Sequence, residues 1–121
     1  MKVRYVLFIL AYMLAAACGS SSSPSTTAPT TTTGTPVSIV SGSSTLTTTA
    51  YSPNPVTVAV GGTVTWTNND SVTHTSVANN GAFNSGTIAP GGSFSMTFPS
   101  AGSFPYHCSI HPGMVGTVTV Q

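Results

Sequence analysis

The chain has 121 residues, enough for one small domain, and only Lys2, Arg4 and Asp70 carry a formal charge. Two basic side chains at the extreme N-terminus cannot neutralise a phosphate backbone, which excludes nucleic acid as a partner. A single carboxylate side chain excludes the paired acids of glycoside hydrolysis.

Residues 1–18 read as an export signal: a short basic start at Lys2 and Arg4, an apolar run from Val6 to Ala17, then small residues. That run is shorter than the roughly twenty apolar residues a membrane-spanning helix needs. The stretch from Leu14 to Gly19, LAAACG, resembles a bacterial lipoprotein lipobox, which predicts a lipid on Cys18 and attachment to a membrane through it. An ordinary small-residue cleavage site is the other reading of these residues. Residues 19–36, GSSSSPSTTAPTTTTGTP, have no hydrophobic period and predict a disordered tether. A flexible chain of that length reaches roughly 20–25 Å on average. If Cys18 carries lipid, Cys108 has no disulfide partner in an oxidising compartment; such a thiol is either buried and inert or bound to something.

From Val37 to Gln121 the apolar period is two. Val56, Val58 and Val60 share one face, as do Val64 and Trp66; Phe94, Met96 and Phe98; and Val118 and Val120. Turn chemistry separates these runs at Pro53-Asn54-Pro55, Gly61-Gly62, Asn68-Asn69-Asp70, Asn79-Asn80-Gly81 and Pro90-Gly91-Gly92. No segment offers a helical stripe, so residues 37–121 predict an all-β fold, a small antiparallel β-sandwich. Trp66 and Met96 read as core, and Asp70 as a turn residue.

Near the C-terminal end stands YHCSIHPGM, Tyr106 to Met114. Parity puts Phe104, Tyr106 and Cys108 on one face, with Cys108 pointing inward and His107 outward. The spacing Cys-x2-His-x2-Met then gathers Cys108, His111 and Met114 at one end of the sandwich. Of the three histidines, His74, just past the Asn68-Asn69-Asp70 turn, is the one able to start a strand entering that same end. Two imidazoles, a thiolate and a thioether suit copper in both oxidation states, as a type 1 site that passes electrons. Structural zinc sites favour more thiolates and catalytic ones keep a water position, so a Met ligand argues against zinc. A Ser/His/Asp arrangement around Asp70 and His74 lacks a nucleophile elbow and any further acid or base.

The chain resembles the cupredoxins, small blue copper proteins, and among them the plastocyanin/amicyanin group. The resemblance runs from Ser52 to Gln121 and rests on SPNPVTVAVGGTVTWTNND, FNSGTIAPGGSFSMTF and GSFPYHCSIHPGMVGTVTV. It implies a Greek-key sandwich, one type 1 copper held by His74, Cys108, His111 and Met114, and an electron path through His111 within an apolar patch of Pro112, Gly113 and Ile110. Two positions depart from the family pattern. Thr75 stands where Asn often braces the ligand loop, and its shorter side chain is expected to brace it less. Ile110 stands where Pro is common, and its free N–H is expected to donate to the Cys108 sulfur and raise the reduction potential.

These residues predict an exported, lipid-anchored, monomeric blue copper electron carrier that docks weakly with redox partner proteins at the His111 end. It would work in the periplasm or on the extracellular face of a bacterial membrane. A copper-binding protein for delivery or sequestration of the ion is the alternative. An enzyme with a second copper centre needs further histidines, and only His107 is left over.

Overall fold

The computed structural model describes residues 34–121. The expected export signal, Cys18 and all but the last three residues of the expected tether lie outside the described residues. Alternation of apolar side chains builds two sheets packed face to face. One carries β1 (Thr35–Ile39), β2 (Tyr51–Ser52), β4 (Thr63–Asn68) and β6 (Ser93–Thr97), in the spatial order β2-β1-β4-β6. The other carries β3 (Val56–Val58), β5 (Val77–Ala78), β7 (Gly102–His107) and β8 (Val115–Val120), in the order β3-β8-β7-β5. The all-β sandwich expected from the sequence is present. Its sheets are mixed, however: β1 pairs with β4, and β3 with β8, in parallel. Parity says which face a residue takes and nothing about which strand lies alongside, so these pairings could not be read from the pattern.

Two boundaries differ from expectation. β1 begins at Thr35, inside the Thr/Pro-rich stretch expected to be tether. Pro36 is tolerated there because β2 pairs only with Ser38 and Ile39, leaving no ladder partner to demand an N–H on that side. Val60 is 53% exposed, because β3 stops at Val58 and the chain enters the Gly61-Gly62 turn before Val60 can face the core. A 3-10 turn at Ser43–Thr45, which no apolar stripe announces, follows Gly42 at φ 74°. Among the described residues no helix is long and apolar enough to cross a membrane.

The core is aromatic at its centre. The Trp66 ring lies 5.2 Å from Phe83, 5.7 Å from Phe94 and 5.4 Å from Tyr106, and Tyr106 meets Tyr51 edge-on at 4.7 Å. Such pairs add about 0.5–1.5 kcal/mol each beyond their burial. Tyr106 also fixes its β8 partner: a Cβ at Gly116 would collide with the tyrosine ring, so the residue opposite Tyr106 has to be glycine for the two strands to pair in this register. The β7·β8 ladder ends at His107 paired with Val115, and the seven residues from Cys108 to Met114 form the loop between them.

Candidate metal centre

Each donor arrives by a different local device. Cys108 follows Tyr106 on the inward face of β7 and is fully buried, a free thiol. Its N–H donates to the Met114 carbonyl and the Met114 N–H donates to the His111 carbonyl, so two backbone bonds close the loop into a tight arch. Met114, likewise fully buried, ends the arch on the core side, while His111 is partly buried and Pro112 and Gly113 are exposed. His74 does not begin a strand, as expected, but sits in an isolated bridge: its N–H donates to the Ile88 carbonyl and its carbonyl accepts from the Ile88 N–H. It nevertheless reaches the same end of the sandwich, with no exposed surface.

The donor atoms converge. His74 Nδ1 and His111 Nδ1 lie 3.2 Å apart, and the Cys108 sulfur lies 3.8 Å from the first and 3.9 Å from the second. A point in the plane of these three atoms stands about 2.1 Å from all of them, the ordinary length of a metal bond to imidazole and close to that for thiolate. The triangle therefore fits one trigonally held metal ion. It is the one group of three or more His, Cys, Asp or Glu side chains so placed among the described residues. His107 does not join it; its Nδ1 lies 2.6 Å from Asn79 Oδ1.

Behind the donors lies a set of hydrogen bonds that the sequence reading missed in part. Thr75 donates its backbone N–H to the Cys108 sulfur at 3.4 Å, and its hydroxyl oxygen accepts the Ser109 N–H at 2.7 Å and lies 2.9 Å from the Ser109 hydroxyl. Thr75 thus ties the His74 segment directly to the ligand loop, through a side chain shorter than the Asn often found at this position. The Ile110 expectation is corrected: the backbone N–H that donates to the sulfur is that of Thr75, from across the site. The loop turns so that Ile110 points outward, 48% exposed.

Burial pushes the Cys108 thiol up, yet the hydrogen bonds from the Thr75 and His111 backbone, from His74 and from the Thr75 hydroxyl outweigh it and bring the thiol down to about 6. A group whose folded value lies below its unfolded one stabilises the fold fully above the unfolded value near 9 and loses that contribution as pH falls through about 6. In the metal-free protein the ultraviolet thiolate absorbance is therefore expected to titrate near pH 6; a midpoint near 9 would show that the hydrogen bonds do not act.

On its far side the His74 ring meets Asp70 Oδ2 at 2.8 Å from Nε2 and Ser43 Oγ at 3.0 Å. The carboxyl lies well below the ordinary carboxylate range, held there first by His74 and then by the Gly42 and Ser71 N–H groups. Asn68, fully buried, supports this corner: its amide donates to the Val72 and Ile88 carbonyls and its Oδ1 accepts the Asp70 N–H. Ser43, Asp70 and His74 do come together, but not as a nucleophilic triad. The hydroxyl and the carboxylate share one ring nitrogen, where a triad needs one on each, and Ser43 is fully buried.

Residues 38–121 match the family model described as copper binding proteins, plastocyanin/azurin family. The plastocyanin of Scenedesmus fuscus is 38% identical over 84 residues, covering 59% of this chain and 86% of the relative. The amicyanin of Paracoccus denitrificans is 34% identical over 76 residues, covering 59% of this chain and 58% of the relative. Among solved structures, a purple cupredoxin from Nitrosopumilus maritimus superposes with a TM-score of 0.67 at 39% identity, covering 72% of this chain and 99% of that one. A reduced, Cu(I) form of an amicyanin variant superposes at 0.60 with 29% identity, covering 73% of this chain and 82% of that one.

Proposed function

The chain belongs to the plastocyanin/azurin family of copper-binding proteins, and from that premise we propose that it is an electron carrier with one copper ion held by His74, Cys108, His111 and Met114. The observation that carries the reading is the triangle of His74 Nδ1, Cys108 Sγ and His111 Nδ1, sized for one ion, with the thioether-bearing Met114 buried at the end of the same loop. Copper, when bound, supplies the one-electron Cu(I)/Cu(II) couple. The chain's part is to keep the donors still. His74 is fixed between Ile88 and Asp70, Cys108 by the Thr75 N–H and the Met114 carbonyl, and the loop by Thr75 and Ser109. Donors held from behind in this way have little freedom to rearrange when the charge at their centre changes.

His111 is the donor that reaches toward solvent, and Ile110, Pro112 and Gly113 around it are exposed. We read this end as the contact for redox partner proteins. Residues 34–121 contain no Lys, Arg or Glu and one Asp, so docking there is apolar and weak. Electron-transfer rates with a partner are expected to change less than about twofold between low and physiological salt; a steep fall would contradict the reading. The N-terminal pattern further supports export and attachment to a bacterial membrane through a lipid on Cys18, with the copper domain acting as a monomer at the end of its tether. Mass spectrometry of the membrane-extracted protein should find diacylglycerol on an N-terminal Cys18, and an unmodified or absent Cys18 would refute the anchor.

The exposure of His111 is also what a copper-delivery protein would need. Voltammetry of the loaded protein separates the two readings. A reversible one-electron wave with the ion retained against a chelator supports electron transfer, whereas rapid loss of the ion to the chelator without a reversible wave supports delivery.

A further inference from the structure

Asp70 is the one acidic side chain in the whole sequence, and residues 34–121 contain no Lys or Arg to offset it. Its carboxylate is nevertheless almost withdrawn from solvent, with 7% of the residue exposed, and all of its acceptor capacity is in use. Oδ1 accepts the Gly42 N–H at 3.0 Å and the Ser71 N–H at 2.8 Å. Oδ2 accepts the Ser43 hydroxyl at 3.2 Å and lies 2.8 Å from His74 Nε2. Three donors, two from the Gly42-Ser43 turn and one from Ser71, therefore fix one charge against the outer nitrogen of a ring that has no exposed surface.

Two consequences follow from this placement. A carboxylate that already receives three other donors has a place left only for a ring that donates, so His74 carries its proton on Nε2 and presents Nδ1 as a lone pair toward Cys108 and His111. The fixed charge also changes the electrical balance of the site. With the Cys108 thiolate and Asp70 together contributing two negative charges, a divalent ion is balanced and a monovalent one leaves a net negative charge buried.

Resting on the copper reading above, we propose that Asp70 is a positioning residue for the metal centre: it fixes the His74 tautomer from behind and favours the oxidised ion, setting the reduction potential lower than the donors alone would. Ser43 and the glycine-led turn before it serve to hold Asp70 in place, which gives a role to a turn far away in sequence from both partners.

The test has two arms. In metal-free protein labelled with nitrogen-15 in its imidazoles, long-range proton–nitrogen spectra should show a His74 Nε2–H protected from solvent exchange in the wild type, and that protection should vanish in Asp70→Ala. A wild-type ring without a protected Nε2–H, or an unchanged signal in Asp70→Ala, would overturn the proposal whether or not copper binds. In copper-loaded protein, Asp70→Asn keeps the shape and an acceptor but removes the charge. It should weaken Cu(II) affinity about 10–100-fold, weaken Cu(I) affinity less, and so shift the potential upward. An unchanged potential would overturn the electrostatic half. If the wild type itself shows no thiolate-to-copper absorption, the copper reading falls while the first arm still decides the Asp70–His74 contact.

Discussion

Replacing Cys108 with Ser is expected to abolish the visible thiolate-to-copper absorption and to lower copper affinity more than about 100-fold, beyond the roughly 10–100-fold that follows loss of a partner behind a ligand. The hydroxyl is nearly the same size, so the arch closed by the Cys108 N–H, the Met114 carbonyl and the His111 carbonyl should survive. What disappears is the soft, anionic donor that the Thr75 N–H helps to prepare at this position against the cost of burial. The Ser protein should therefore remain folded, with near-native circular dichroism, while losing colour and tight binding. Retention of an intense visible band in Cys108→Ser would mean that the sulfur is not a ligand.

Copper should also act as a strut of the fold. Without an ion, two imidazole nitrogens and a thiolate stand within 3.2–3.9 Å of one another in a largely buried corner. A domain of this size has a limited core to offset such a cluster. At a free copper concentration 100 to 1,000 times the dissociation constant, binding to the folded state alone adds about 2.7–4.1 kcal/mol. For a domain of this length that corresponds to a rise in melting temperature of about 10–30 °C. Differential scanning calorimetry of the loaded and chelator-stripped protein measures it directly. Equal melting temperatures would show that the ion, if it binds, does so outside the folded site. His74→Ala should lose most of the effect, because it removes the donor that ties the ion to the opposite side of the loop.

Much of this was legible in the chain. The donors stood out because Cys108, His111 and Met114 follow one another at fixed spacing in a sequence with three histidines, two cysteines and a single acidic side chain. The inward face of β7 followed from the alternation of Phe104, Tyr106 and Cys108. What supports the donors was not legible, for a physical reason: it is held by contacts between residues far apart in sequence. Ser43 lies in a turn with no apolar stripe, 27 residues from Asp70 and 31 from His74. Asp70 was read as a turn residue, and it does lie in the turn after β4, its N–H donating to Asn68 Oδ1, but its carboxylate also faces the ring of His74. For Ile110, a free N–H suggested the wrong donor to the sulfur. The path of the loop decides which N–H meets the sulfur, and that path is set by the closure between Cys108 and Met114. The parallel pairings of β1 with β4 and of β3 with β8 belong to the same class, since alternation fixes faces and leaves neighbours open.

The central claim is that Cys108, His74, His111 and Met114 hold one copper ion in a thiolate-bonded, near-trigonal site. Its most direct test is the absorption and electron paramagnetic resonance spectrum of the purified protein after one equivalent of Cu(II). An intense visible band from thiolate to copper, with narrow copper hyperfine splitting and saturation at one ion per chain, is the predicted result. A pale spectrum with the broad splitting of ordinary cupric complexes would contradict it.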